Sequence, residues 1–152
     1  MKRVVVDASV AAKWSLPEPY SDAAARLLAE DFELWAPDLL WAEVGNIFWK
    51  KWRRGEVTAE EAGALLQDFR RFPVQVLSAD GLAGIAWEIA TSFSRSFYDS
   101  LYLALAVDRS CPLVTADRKL YNALTGGPSP ASLVWVEEIA AIMAPPRSNG
   151  VG

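Results

Sequence analysis

The sequence predicts an α/β domain built on a mostly parallel sheet of about five strands. Two observations carry that prediction. Short apolar runs rich in β-branched residues alternate with longer segments of helical periodicity. Two acidic residues, Asp7 and Asp117, stand at or just past the carboxyl ends of two of those runs. That edge is where ligands bind in open parallel sheets.

The elements follow in order. Lys2 to Val6 reads as a buried strand, and Ala8 to Trp14 as a helix stopped by Leu16-Pro17-Glu18-Pro19. Ser21 to Glu30 is a second helix and Phe32 to Trp35 a second strand. A long helix runs from about Asp38, after Pro37, to Arg54, where Gly55 ends it. Thr58-Ala59-Glu60-Glu61 has the form of a capping box and opens a helix ending near Arg71. Val74 to Leu77 is a strand, Ala79 to Thr91 and Tyr98 to Asp108 are helices, and Leu113 to Thr115 is a strand. Arg118 to Leu124 is a short helix and Leu133 to Val136 the last strand. Residues 1–140 form one domain; 141–152, with Pro145-Pro146-Arg147-Ser148, read as a flexible tail.

Composition removes whole classes of chemistry. The 152 residues contain no histidine and one cysteine, Cys111. A Ser-His-Asp triad, a Cys-His pair, a His-ligated zinc site and an intramolecular disulfide are therefore all absent. A net charge of −4 argues against broad, charge-driven coating of nucleic acid, though not against a local basic patch. No apolar run reaches the ~18 residues that span a bilayer. Asp7 and Lys13 interrupt the apolar start and no convincing cleavage site follows, so a soluble, cytoplasmic protein is expected.

Asp7, Glu43, Asp99 and Asp117 carry most of the information. Each sits in or beside an apolar stretch, where an unpaired carboxylate is expensive. No lysine or arginine lies within two residues of Asp7, Glu43 or Asp99. Asp7 and Asp117 also suit plain helix caps, and Asp99 suits the first turn of its helix. Glu43 is harder to explain that way. On a helix it shares a face with Leu39, Leu40 and Ile47, and Asn46 adds a second polar group. Together the acids fit a hard divalent cation, Mg²⁺ or Mn²⁺, held by oxygen ligands. Ser9 and Thr115 are either ordinary turn residues or supports that hold metal-bound water or orient the carboxylates.

Trp14, Trp35, Trp87 and Trp135 are expected in the core, and Cys111 as a small buried residue. Trp41, Trp49 and Trp52 are too many for one buried face; with Phe48 they form either ordinary packing or an exposed docking patch. Lys50-Lys51-Trp52-Arg53-Arg54 is the densest basic cluster. The plainer reading is helix-end charge; contact with a phosphate backbone is the alternative. A receiver-like domain would show paired acids after the first strand, where only Asp7 stands. A metal-dependent phosphatase would place a second acid two residues beyond the first, where Ser9 stands. A non-catalytic binding module is a third reading, against which the intact acids count.

Four segments in this order and spacing resemble the PIN-domain family, nearest to VapC-type toxins of VapBC toxin–antitoxin modules. They are Val4-Val5-Val6-Asp7-Ala8-Ser9, Pro37-Asp38-Leu39-Leu40-Trp41-Ala42-Glu43-Val44-Gly45-Asn46, Tyr98-Asp99-Ser100-Leu101-Tyr102-Leu103-Ala104-Leu105-Ala106, and Leu113-Val114-Thr115-Ala116-Asp117-Arg118-Lys119-Leu120. The resemblance implies a metal-dependent endoribonuclease in which Asp7, Glu43, Asp99 and Asp117 bind Mg²⁺ or Mn²⁺, supported by Ser9, Asn46 and Thr115. It implies a transfer or ribosomal RNA substrate and a homodimer. It also implies a VapB-type antitoxin lying along the Glu43 helix, with the Trp49–Arg54 region (Trp49, Lys50, Lys51, Trp52, Arg53, Arg54) as candidate contact.

Overall fold

The computed structural model describes residues 2–29 and 31–143. Five strands form one sheet: β1 (Lys2–Val6), β2 (Phe32–Pro37), β3 (Val74–Leu77), β4 (Leu113–Thr115) and β5 (Leu133–Trp135). All are parallel, in the order β3-β2-β1-β4-β5. The helices are α1 (Ala8–Ala11), α2 (Ser21–Ala29), α3 (Leu39–Arg53), α4 (Ala59–Phe69), α5 (Ala79–Phe93), α6 (Phe97–Arg109) and α7 (Arg118–Thr125). Ala12–Trp14 continues α1 as a 3-10 turn. Parallel strands need crossover helices on both faces, which is why Val4–Val6 of β1 and Leu113–Thr115 of β4 at the centre of the sheet are buried at every position, whereas the edge strand β3 keeps Gln75 exposed.

Strand periodicity divides the core. Val5, Trp35 and Leu113 face one side and pack on α3, α5 and α6. Val4, Val6, Leu34 and Val114 face the other, against Leu27 of α2 and Ile139. On α3, Leu40, Val44 and Phe48 recur every four residues and form the buried stripe. On α6 every side chain from Ser100 to Ala106 is buried, so this helix lies inside the molecule. The capping box at Thr58 is present in both directions: Thr58 N–H donates to Glu61 and Glu61 N–H donates to the Thr58 hydroxyl. Gly55, with φ of +74°, ends α3 in the left-handed conformation that glycine adopts at no steric cost.

Several expectations need correction. Trp87 is 63 % exposed and not core. The buried face of α5 runs through Leu82, Ala86 and Ile89, and Trp87 falls one residue, about 100° of turn, off that stripe. Phe48 is buried and does not belong to an exposed patch. Trp41 packs edge-on against Phe69, with ring centroids 5.2 Å apart. Trp14 and Cys111 are only partly buried. The last strand stops at Trp135, and Val136–Ile142 forms a 3-10 segment that the sequence did not suggest. Its buried residues, Val136 and Ile139, are three apart, the repeat of that helix. Ile142 and Met143 still pack against the second core face; the rest of the expected tail lies outside the described residues. Among the described residues, no helix is long and apolar enough to cross a membrane.

Candidate metal centre

Strand order reverses between β1 and β4: β2 and β3 extend to one side of β1, β4 and β5 to the other. A crevice opens at such a switch point, outside the carboxyl ends of the strands. Asp7 follows β1 and caps α1, its Oδ1 accepting the Val10 N–H at 3.2 Å. Asp117 follows β4 and caps α7, its Oδ1 accepting the Leu120 N–H at 3.2 Å. Both acids are therefore helix caps as well as residues that line the cavity at this edge.

Asp7 is almost wholly buried, yet among the described residues no cation pairs with it. Three short-range donors hold it instead. Ser9 Oγ donates to Oδ1 at 2.5 Å, Thr115 Oγ1 donates to Oδ2 at 2.5 Å, and Val10 N–H completes the set. The two hydroxyls are fixed in turn: Ala116 N–H donates to Ser9 Oγ and Asp117 N–H to Thr115 Oγ1, each at 3.0 Å. Ser9 and Thr115 thus stitch β1 to β4 and set both oxygens of Asp7. Of the readings open in the sequence, these hydrogen bonds match the one in which the two hydroxyls orient the carboxylate.

Asp99 enters from the first turn of α6, capped by Ser96, whose Oγ accepts the Asp99 N–H at 3.0 Å. Glu43 enters from α3. All four acids line one cavity of about 440 Å³, together with Ser9, Asn46, Lys50, Tyr98 and Tyr102 and the apolar walls Leu39, Ile47 and Leu120. Among the described residues no three carboxylates already stand close enough together to hold one ion.

The electrostatics reflect the same crowding. Burial pushes the Asp7 carboxyl from 3.8 up to about 6, against the pull of its three donors, and the charge of Asp117 adds to the rise. Burial likewise raises Asp99, with Asp117 adding to it and Arg95 opposing it. Burial raises Glu43, helped by the charge of Asp99. The Tyr102 hydroxyl eases the Glu43 charge but stops short of a formed hydrogen bond, since Glu43 Oε1 and the Tyr102 hydroxyl are both buried without a partner. Burial and the Glu43 charge push the Tyr102 phenol far above its ordinary range, so it stays protonated.

A buried, unpartnered carboxylate oxygen inside a ring of acids asks for a cation. The donors present are carboxylates, hydroxyls and the Asn46 amide, an all-oxygen set that fits Mg²⁺ or Mn²⁺.

The other site residues divide between two places. Lys50 lines the acidic cavity. Trp49 and Trp52 turn away from it and line a second, apolar groove of about 320 Å³ between α3 and α4, with Gly45, Phe48, Ala62 and Leu66. Arg53 lies over the Trp49 ring at 5.9 Å. Lys51 is held by Glu18 and Glu56, at 3.4 and 3.1 Å, and is not a free phosphate ligand. Arg54 is exposed at the end of α3. The Lys50–Arg54 run is thus not one contact surface, because successive helical residues point about 100° apart. Sequence reasoning missed Tyr98 and Tyr102 as cavity residues. Tyr102 had a readable signal, since it lies three residues after Asp99 on the same helix face.

The chain matches the PIN domain model over residues 4–123. It is 35 % identical over 120 residues to a protein named Ribonuclease VapC3 of Pyrobaculum aerophilum, covering 78 % of this chain and 92 % of that one. Its fold superposes on the crystal structure of PAE2754 from Pyrobaculum aerophilum with a TM-score of 0.67 at 24 % identity, over 92 % of this chain and 88 % of the other. It also superposes on VapBC2 from Rickettsia felis, solved with a DNA fragment from its promoter, with a TM-score of 0.62 at 13 % identity, over 88 % and 98 % of the two chains. The likeness spans the segments that carry all four acids, and the chain belongs to the PIN-domain family, among its VapC-type members.

Proposed function

We propose that the chain is a Mg²⁺- or Mn²⁺-dependent endoribonuclease, the toxin of a toxin–antitoxin pair. One observation carries the reading: Asp7, Glu43, Asp99 and Asp117 come from four separate segments and line a single cavity at the switch point of the sheet. The names of its relatives, ribonucleases of the VapC group, point to the same activity.

Asp7, Asp99 and Asp117 would hold the cation, and Glu43 would complete the cluster. When bound, it supplies an activated water and neutralises charge that builds on the phosphoryl oxygens during in-line attack. Ser9 and Thr115 keep both Asp7 oxygens oriented, so the carboxylate needs no reorganisation on binding. Leu39, Ile47 and Leu120 form apolar walls of the cavity. Lys50, on the same wall, draws the phosphate backbone towards a cleft that is otherwise acidic. Transfer and ribosomal RNA are the substrates to try first, in a cytoplasmic setting.

The groove beside Trp49 and Trp52 suits the second part of the proposal. Its apolar lining and two exposed indoles, 53 % and 41 % accessible, fit an apolar helix of an antitoxin. Relatives of the same fold have been solved as VapBC and FitAB assemblies. Pairing of two toxin copies belongs to the same reading.

The test is incubation of the purified protein with a mixed RNA pool in Mg²⁺ or Mn²⁺, with and without EDTA. Cleavage that EDTA abolishes is expected. Cleavage that persists in EDTA contradicts a metal-dependent site.

A further inference from the structure

Two buried polar atoms of the cavity lack partners among the described residues: Oε1 of Glu43 and the hydroxyl of Tyr102. They come from different helices, α3 and α6, and their side chains line the same cavity. An ionised carboxylate oxygen only accepts hydrogen bonds, while a phenol donates one. Each atom is what the other lacks. Left unmade, such a pair costs both groups their hydration with nothing in return.

Tyr102 is 4 % exposed, and its ring is fixed among the buried side chains of α6. Asp99 lies one turn earlier on the same face. The phenol is therefore a rigid fixture, whereas Glu43 reaches the cavity on three rotatable bonds. A carboxylate on so flexible a stem is oriented only if something holds it.

We propose that Tyr102 is a positioning residue: when Glu43 takes up a cation, the hydroxyl that stands unpaired near it donates to its carboxylate and holds it in the cavity. This rests on the metal-centre reading above. Groups that orient a ligating carboxylate typically contribute about 10–100-fold to metal affinity, and Tyr102 supplies that contribution through Glu43 alone.

The experiment is a calorimetric Mn²⁺ titration of the wild type, Tyr102→Phe, Glu43→Ala and the double variant, each with its metal-free melting temperature. Phe keeps the ring and its packing and removes only the hydroxyl. Mn²⁺ affinity is expected to fall about tenfold or more in Tyr102→Phe. In the Glu43→Ala background, which has no acceptor left to orient, the same change is expected to cost nothing further. An unchanged affinity in Tyr102→Phe overturns the proposal. So does an equal loss in both backgrounds, which assigns the effect to packing. A Tyr102→Phe protein that no longer folds assigns the hydroxyl to the fold and overturns it too. A wild type that binds no Mn²⁺ removes the metal centre itself, and the proposal with it. A wild type that binds beside a Tyr102→Phe that binds equally removes the proposal alone.

Discussion

The Thr115 hydroxyl donates to Asp7 across 108 positions of sequence, closing β4 onto the residue that follows β1. The same oxygen accepts the Asp117 N–H. One hydroxyl thereby fixes two of the four acids, and it is itself wholly buried.

Thr115→Val keeps the shape and removes the donor. The Asp7 Oδ2 would be left buried and unpaired, at a cost of roughly 1–3 kcal/mol. Urea unfolding should show that loss for Thr115→Val and little for Thr115→Ser.

The metal-free protein should become more stable as the pH is lowered from 8 to 5. The Asp7 carboxyl is raised from 3.8 to about 6 on folding, so the folded chain holds this proton more tightly than the unfolded one. That stabilisation is complete below pH 3.8 and is lost as pH rises through 6, on the order of 3 kcal/mol in all. Glu43 and Asp99 are raised as well and act in the same direction. Melting temperatures in EDTA across this range measure it; a fall towards pH 5 would contradict it.

Added Mn²⁺ should raise the melting temperature at pH 7.5, by about 2.7 kcal/mol of stability at a hundredfold excess over the dissociation constant. The gain should shrink towards pH 5, where protons compete for the same oxygens. Asp7→Asn at pH 8 should match or exceed the metal-free stability of the wild type, since it removes a buried charge, and should lose the response to Mn²⁺.

Trp49→Ala and Trp52→Ala should leave RNA cleavage unchanged, because their groove is separate from the acidic cavity. They should weaken capture by the cognate antitoxin, read as lost inhibition of cleavage. Cleavage lost in these variants would place them in the active site.

Much of this was legible in the sequence because the signals were local. The runs Val4-Val5-Val6 and Leu113-Val114-Thr115, the Thr58 capping box and Gly55 each encode their own structure within a few residues. The convergence of Asp7 and Asp117 followed from one rule about parallel sheets. What failed depended on rotation about a helix axis. Whether Trp87 points in or out, and on which side of α3 Trp49 and Lys50 lie, is decided by neighbours distant in sequence. Tyr102 sits in a helix buried on every side, where only its spacing of three residues from Asp99 marks it as a cavity residue.

The most direct test compares RNA cleavage in Mn²⁺ by the wild type and Asp99→Asn, once both have been shown to melt cooperatively. Asn keeps the size of the side chain and removes its charge. Cleavage by the wild type, abolished by EDTA, is expected, with none above background by Asp99→Asn. Equal cleavage by the two proteins would contradict it.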